Sequence, residues 1–489
     1  MNDSKLGRRQ FLRTACAAAG GACLVSQAGL WPLSILAAQE GGWPKLPPVR
    51  IYKVYVGRTG DYYLAHPTEE VGRFEKYLQD LEQRLGDVKF VGGDMVPPAD
   101  AGQVAEKARE ADGVLLIHLS WHGGDAPTLG TLIDVGLPTT LFSQPFSGHG
   151  WMDFPQWHKQ GKKVVLLPSS DWGELDRVVR LMRAPAWLKQ TRVLIVGAPQ
   201  GTAAACSAEE VKKRLGAELV PVSNDRVMEV FKAVDPKAAE AEASEYWLSK
   251  ARRIVEPSRQ EIVDSARLYL AMKDLMIKER ARAVASSHCM GTPRGCLTFS
   301  KLNDQGLVGA CEGDMDSTLT MLIFAYAFGV PGFISDPVPD IAKNALIHFH
   351  CTSATKMDGP GGKRLPFTIR NQTDSKGGVS LEVQQRIGQE VTCAKLVGLD
   401  TMLISPGKII ETSTSPLACR TQFTTRVPDA RRMFLDWGAG VIQGGVMTLL
   451  HRVVFYGDYM QQVQELGDLM GLKVVEEGGP ALLGSVPQT

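Results

Sequence analysis

The chain carries almost no net charge. Its 54 lysines and arginines are matched by 53 aspartates and glutamates, giving +1 at neutral pH, and no dense basic stripe runs along any segment. That removes the electrostatic footprint of a nucleic-acid-binding protein and favours a small neutral partner. Low-complexity tracts are also missing, and 44% apolar with 22% charged residues is the composition of a folded globular chain. There is no G-x-G-x-x-G. The nearest candidate, Gly197-Ala198-Pro199-Gln200-Gly201 after the apolar run Val193 to Val196, is interrupted by Pro199 and has no acid at a second strand end to hold a ribose. A nucleotide-dependent enzyme would rest on that turn alone. Gly359 to Lys363 is glycine-rich but lacks phosphate-loop spacing. No C-x-x-C occurs either. Of nine cysteines, Cys16 and Cys23 lie near the amino terminus, and the odd remainder shows no paired spacing, so the body reads as a reduced-thiol fold.

The amino terminus reads as an address. Gly7-Arg8-Arg9-Gln10-Phe11-Leu12-Arg13 precedes a weakly hydrophobic, Ala- and Gly-rich run from Thr14 to Ala38, which resembles a twin-arginine export signal. The expected location is periplasmic or otherwise extracytoplasmic, with no integral membrane body beyond the signal. A retained basic anchor is the alternative reading, since Leu36-Ala37-Ala38 is an imperfect cleavage site.

At 489 residues the chain exceeds one core. The expected division is signal and linker over 1–48, a first α/β domain over 49–190, a second over 191–345, and an all-β, barrel-like domain over 346–489. In the first, strand-like runs at Ile51 to Val56, Val114 to Leu119, Thr139 to Phe142 and Val164 to Leu167 alternate with helical or loop sequence. Phe74, Leu78, Leu81 and Leu85 fall on one helical face. The fold class is therefore α/β, with two doubly wound parallel sheets before the barrel. Arg58 and Trp121-His122-Gly123-Gly124 stand at strand ends, the usual functional edge, although both can be packing or solvated turn residues. From Gly377 to Val427 the period changes to two, with short strands separated by Gly, Asp and Pro.

The centre of the chain is Gly306 to Pro337. Leu307 to Cys311 closes on Glu312, Thr318 to Phe328 is apolar at helical spacing with Asp316 or Ser317 as N-cap, and Phe333 to Ser335 closes on Asp336-Pro337. A right-handed crossover would bring both acids to the carboxyl edge of one parallel sheet, where they could share a metal. They can equally be read as a loop acid and an Asp-Pro turn. His288 also follows a strand. In Ile347-His348-Phe349-His350-Cys351 the two histidines point the same way on a strand, which suggests either a metal pair or a polar-lined face; we place His350 near substrate, without direct ligation.

Cys311-Glu312-Gly313-Asp314 with the helix after it, Ser335-Asp336-Pro337, His350-Cys351, Glu390-Val391-Thr392-Cys393-Ala394-Lys395-Leu396 and His451-Arg452-Val453-Val454-Phe455-Tyr456-Gly457-Asp458 together resemble the L-fucose isomerase family. The resemblance covers roughly Gly306 to Glu477. It implies a divalent ion, usually manganese, on Glu312, Asp336 and His451, and a homo-oligomer with sites near subunit boundaries. It further implies aldose–ketose isomerisation of a small sugar, with Glu312 and Asp336 as base and acid and the cation stabilising an enediolate. The other reading is an exported, non-catalytic carbohydrate-binding protein.

Overall fold

The computed structural model describes residues 42–57, 66–96, 100–119, 125–147, 149–287, 291, 293–373, 375–438 and 450–479. The amino-terminal stretch read as an export signal, Arg58, Trp121 to Gly124 and His288 to Met290 lie outside these residues.

The first sheet is built from β1 (Val49–Val56), β2 (Val88–Val96), β3 (Gly113–His118), β4 (Thr139–Ser143) and β5 (Val164–Leu167). Its strands are all parallel, in the order β2-β1-β3-β4-β5. Seven of the eight residues of β1 are buried, as expected of a strand covered on both faces. The helix Pro67–Leu85 opens with Pro67 and two glutamates near its positive end and stops at Gly86, which is left-handed at φ 69°. Phe74, Leu78, Leu81 and Leu85 are its buried residues, the face read from the sequence.

A second parallel sheet follows from β6 (Arg192–Val196) and β7 (Glu218–Val222), then, after the two-residue β8 (Arg253–Ile254), β9 (Ala283–Ser286) and β10 (Val308–Cys311). Its order, β7-β6-β9-β10, repeats the winding of the first four strands of the first sheet. A fifth strand would fall beside β10. The chain instead runs through the helix Met315–Phe328 into β11 (Phe333–Asp340), which pairs antiparallel with the next strand on one side and with a strand more than a hundred residues later on the other. The expectation that Glu312 and Asp336 leave one edge of one sheet is therefore wrong. A strand–helix–strand pattern fixes spacing, but the partners of the second strand are chosen by residues a hundred positions away. Pro337 does not end β11 either. Past Ser335 the strand is paired only with its β12 neighbour, so Pro337 and Pro339 cost no ladder bond on the other side.

The remaining strands are β12 (Ala345–His350), β13 (Phe367–Arg370), β14 (Ser380–Val383), β15 (Glu390–Val397), β16 (Thr401–Thr412), β17 (Thr421–Arg426), β18 (Arg452–Tyr456) and β19 (Lys473–Glu476). Antiparallel pairing runs β15-β18-β11-β12-β17-β16 and returns to β15, which closes a barrel, with β19 added in parallel on β16. β16 joins two runs that read as separate strands. Its Pro406 is paired with β15 alone, between the stretches held by β19 and β17, so the missing N–H breaks no second ladder. β8, β13 and β14 form a small separate sheet.

The Met315–Phe328 helix is the seam between the second sheet and the barrel, and every one of its residues is buried. Phe324 stacks on Phe455 of β18 with ring centroids 3.8 Å apart, and Thr320 Oγ1 accepts the Leu396 N–H of β15 at 2.8 Å. Each large apolar side chain buried here contributes about 1.5–3 kcal/mol. No helix among the described residues is long and apolar enough to cross a membrane.

Candidate active site

The second sheet presents Glu312 at the end of β10. Its φ of 60° lies in the left-handed region and Gly313 follows at φ 69°, so the chain doubles back at once into Asp314. That turn is braced by the loop after β6: Gln200 N donates to Gly313 O at 2.8 Å and Met315 N to Gln200 O at 2.9 Å. A side chain at Gly313 would sit 2.9 Å from Ala198 O, and one at Gly201, where φ is +124°, would fall on the Asp316 carboxylate. Gly201, one of the two glycines that invited a dinucleotide reading, is thus a position that lets this loop close on the acidic turn.

Asp314, rather than Asp316 or Ser317, caps the helix. Its Oδ1 accepts the Ser317 N–H at 2.9 Å and its Oδ2 the Ser317 hydroxyl at 2.7 Å. Asp316 accepts instead from Thr202 N at 2.6 Å and Thr202 Oγ1 at 2.7 Å, which ties the helix to the β6 loop.

The barrel supplies the other groups. Asp336 stands on β11, His350 ends β12, and His451 immediately precedes β18. Donor atoms of Glu312, His350 and His451 all lie within 4.8 Å of one another. His350 Nε2 is 3.6 Å from Glu312 Oε1, and His451 Nε2 is 3.6 Å from Glu312 Oε2. Asp336 joins this group through His451, whose Nε2 lies 3.2 Å from Asp336 Oδ1. Neither of these two atoms has a hydrogen-bond partner, although both are buried. Two orphaned donor atoms facing each other beside a carboxylate are the arrangement expected of ligands to a cation, because leaving such groups unmatched otherwise costs about 1–3 kcal/mol each.

The opposite edge of His451 is fixed. Nδ1 lies 2.8 Å from Asp314 Oδ2, and the same oxygen receives Lys395 Nζ at 2.9 Å. Both Asp314 and Lys395 are fully buried. Burial works against the Asp314 anion, but the Lys395 ammonium and His451 outweigh it and hold the carboxyl below its usual range. Burial disfavours the charged ring, but Asp314 and Asp336 outweigh it and raise the His451 pKa; an anion at Asp314 holds one ring proton on Nδ1, so that a cation displacing the proton on Nε2 would meet the carboxylate–histidine arrangement of many metal centres. Glu312 is likewise held below the ordinary glutamate range, chiefly by its hydrogen bond to His350, against the opposing effect of burial.

His348 does not share the site. Ser335 Oγ meets its Nδ1 at 2.9 Å and Thr425 Oγ1 its Nε2 at 2.8 Å, and it stacks on Phe423. Burial pushes its pKa down to about 3, so it is a neutral core residue and the metal-pair reading of His348 and His350 fails. Sequence reading missed the roles of Asp314 and Lys395. The available signal was a lysine inside the otherwise apolar or small run Val391 to Val397.

No family model matches the chain. Over 222 residues, 42% of its length, it is 27% identical to the sulfoquinovose isomerase of Clostridium sp. (strain MSTE9). The match spans just under half of that relative, 46% of its length. This likeness agrees with a sugar isomerase.

Proposed function

We propose that the chain is a metal-dependent aldose–ketose isomerase. The observation that carries this reading is the convergence of Glu312, His350 and His451 within 4.8 Å, joined by Asp336, whose Oδ1 lies buried and unmatched 3.2 Å from the equally unmatched His451 Nε2. A carboxylate pair with one imidazole is a hard donor set, suited to Mn2+ or Mg2+ more than to a thiophilic ion. Glu312, Asp336 and His451 would hold the cation, with His350 beside Glu312. Once bound, it would supply Lewis-acid polarisation of two neighbouring sugar oxygens.

The residues themselves account for the proton traffic. One carboxylate takes the C2 proton of the open-chain aldose and returns it at C1, while the other passes the O2 hydroxyl proton toward O1, so that the sugar traverses an enediolate and no atom is gained or lost. Glu312 suits the base because its anion is already favoured by His350. Asp314 and Lys395 keep His451 in one tautomer without touching substrate.

The relative's printed activity makes sulfoquinovose the first sugar to try, followed by a pentose, hexose and deoxyhexose panel with added manganese. The expected result is exchange of the C2 proton in deuterated water, lost with chelator and lost in Glu312→Gln with the fold retained. A fully active Glu312→Gln protein would sink the assignment, and sugar binding without exchange would indicate a carbohydrate-binding protein. Export by the twin-arginine route, homo-oligomer formation and the four-part division of the chain belong to the same proposal; fractionation of an epitope-tagged full-length chain and sedimentation of the purified protein test the first two.

A further inference from the structure

Directly behind the carboxylate group lies a second set of donors with the opposite chemistry. Cys311 precedes Glu312 and Cys351 follows His350, so two groups of the first site each have a thiol as chain neighbour. Donor atoms of Cys311, His350 and Cys351 lie within 4.8 Å of one another, and all three residues are buried. Cys296, Cys311 and Cys419 interact with the Cys351 thiol and help hold it well below the usual cysteine range. Cys296 is 2% exposed, Cys311 1% and Cys351 3%. His350 has one ring nitrogen for each side: Nε2 faces Glu312, whereas Nδ1 is 3.9 Å from Cys351 Sγ and 3.5 Å from Thr352 Oγ1.

We propose that Cys296, Cys311, Cys351 and the Nδ1 edge of His350 form a second cation site, selective for a thiophilic divalent ion of the Zn2+ type. Three sulfurs and one imidazole make a closed tetrahedral set of the kind that structural zinc takes. Tetrahedral bonds of about 2.3 Å to sulfur and 2.0 Å to nitrogen place donors about 3.5–3.8 Å apart, so the donors of Cys311, His350 and Cys351, within 4.8 Å of one another, need to close by no more than about 1 Å. The thiol protons leave to solvent as the ion enters. Softness separates the two sites: thiolates reject Mn2+, and the carboxylate group next door offers Zn2+ only one or two nitrogens. Because Cys311 ends β10 and Cys351 follows β12, the ion would fasten the second parallel sheet to the barrel and fix the His350 ring with Nε2 toward Glu312. This site stands independently of the isomerase reading.

The test uses the full chain, stripped of metal under reducing conditions and titrated with Co2+ as the probe. One equivalent should bring thiolate-to-cobalt charge-transfer absorption, and a further equivalent should bind without adding to that band. Cys311→Ser and Cys351→Ser should each abolish the band. Cys393→Ser should keep it, since that buried thiol is elsewhere in the barrel, and so should Asp336→Asn, which removes only the second equivalent. Should a serine variant fail to fold, Cys351→Ala removes the donor without placing a hydroxyl in the pocket. Absence of the band from the wild-type protein, or its survival in both Cys311 and Cys351 variants, overturns the proposal.

Discussion

Asp314→Asn separates what the buried Lys395–Asp314–His451 chain does for the fold from what it does for the site. Asparagine keeps the shape of the side chain and can still accept from Ser317, so the helix cap survives. What is lost is the anion. Lys395 then stays fully buried without the carboxylate that faces it, and removing one partner of such a pair costs about 3–5 kcal/mol of stability. His451 loses the acceptor that orients it, and loss of an outer partner weakens metal binding by about 10–100-fold. Asp314→Asn/Lys395→Met distinguishes the two effects, because it removes both charges and leaves no orphaned ammonium. Most of the stability should return in the double variant, whereas Mn2+ affinity should remain about 10–100-fold weak, a loss of about 1.4–2.8 kcal/mol. Urea unfolding of the metal-free protein gives the first quantity and calorimetric Mn2+ titration the second. Refutation would be affinity recovering in step with stability, since Asp314 would then matter to the site only as part of the scaffold.

Acid should narrow the gap between wild type and Asp314→Asn. The folded carboxyl is depressed below its ordinary 3.8, so its contribution is complete above that value and is lost as pH falls through the depressed one; urea midpoints at pH 7 and about pH 3 should differ by less at the lower pH. Gly201→Ala should cost about 1–3 kcal/mol, because φ of +124° is a region only glycine enters readily, and the added methyl would displace the Asp316 carboxylate from Thr202. Thermal melts check it, and an unchanged midpoint would mean that the β6 loop is not needed to brace the turn. His348→Phe should leave Mn2+ affinity unaltered while lowering stability by about 1–3 kcal/mol, since the hydroxyls of Ser335 and Thr425 lose their ring partner. A drop in affinity comparable with that of His451→Ala would return His348 to the site.

Local pattern was enough for much of the fold. The alternation of strand and helix sequence marks both parallel sheets, and the helix face Phe74, Leu78, Leu81 and Leu85 follows from spacing alone. The change to period two after Gly377 marks the barrel, but not its membership: β11, which carries the sequence of an α/β continuation, is claimed by β18 through pairing that no local signal encodes. For the site, Glu312, Asp336, His350 and His451 were each named from motif and resemblance, and the structure brings them together. Asp314 and Lys395 were hidden for a physical reason. A buried ion pair is visible in sequence only as two unremarkable charges, 81 positions apart, whose meaning is their distance in space.

The departure of β11 from the parallel sheet has a consequence for how the protein comes to life. Glu312 sits on a sheet whose strands all lie before it in the sequence, whereas Asp336 and His451 are aligned only when Ser335 pairs with Arg452 across more than a hundred residues, the kind of long-range contact that slows folding. A nascent or half-folded chain therefore owns at most one arm of the clasp and has little hold on a divalent ion. At the proposed cation site, capture of the ion would certify that β11 and β18 have found each other, which would let the cell that makes the protein load it only once it is folded.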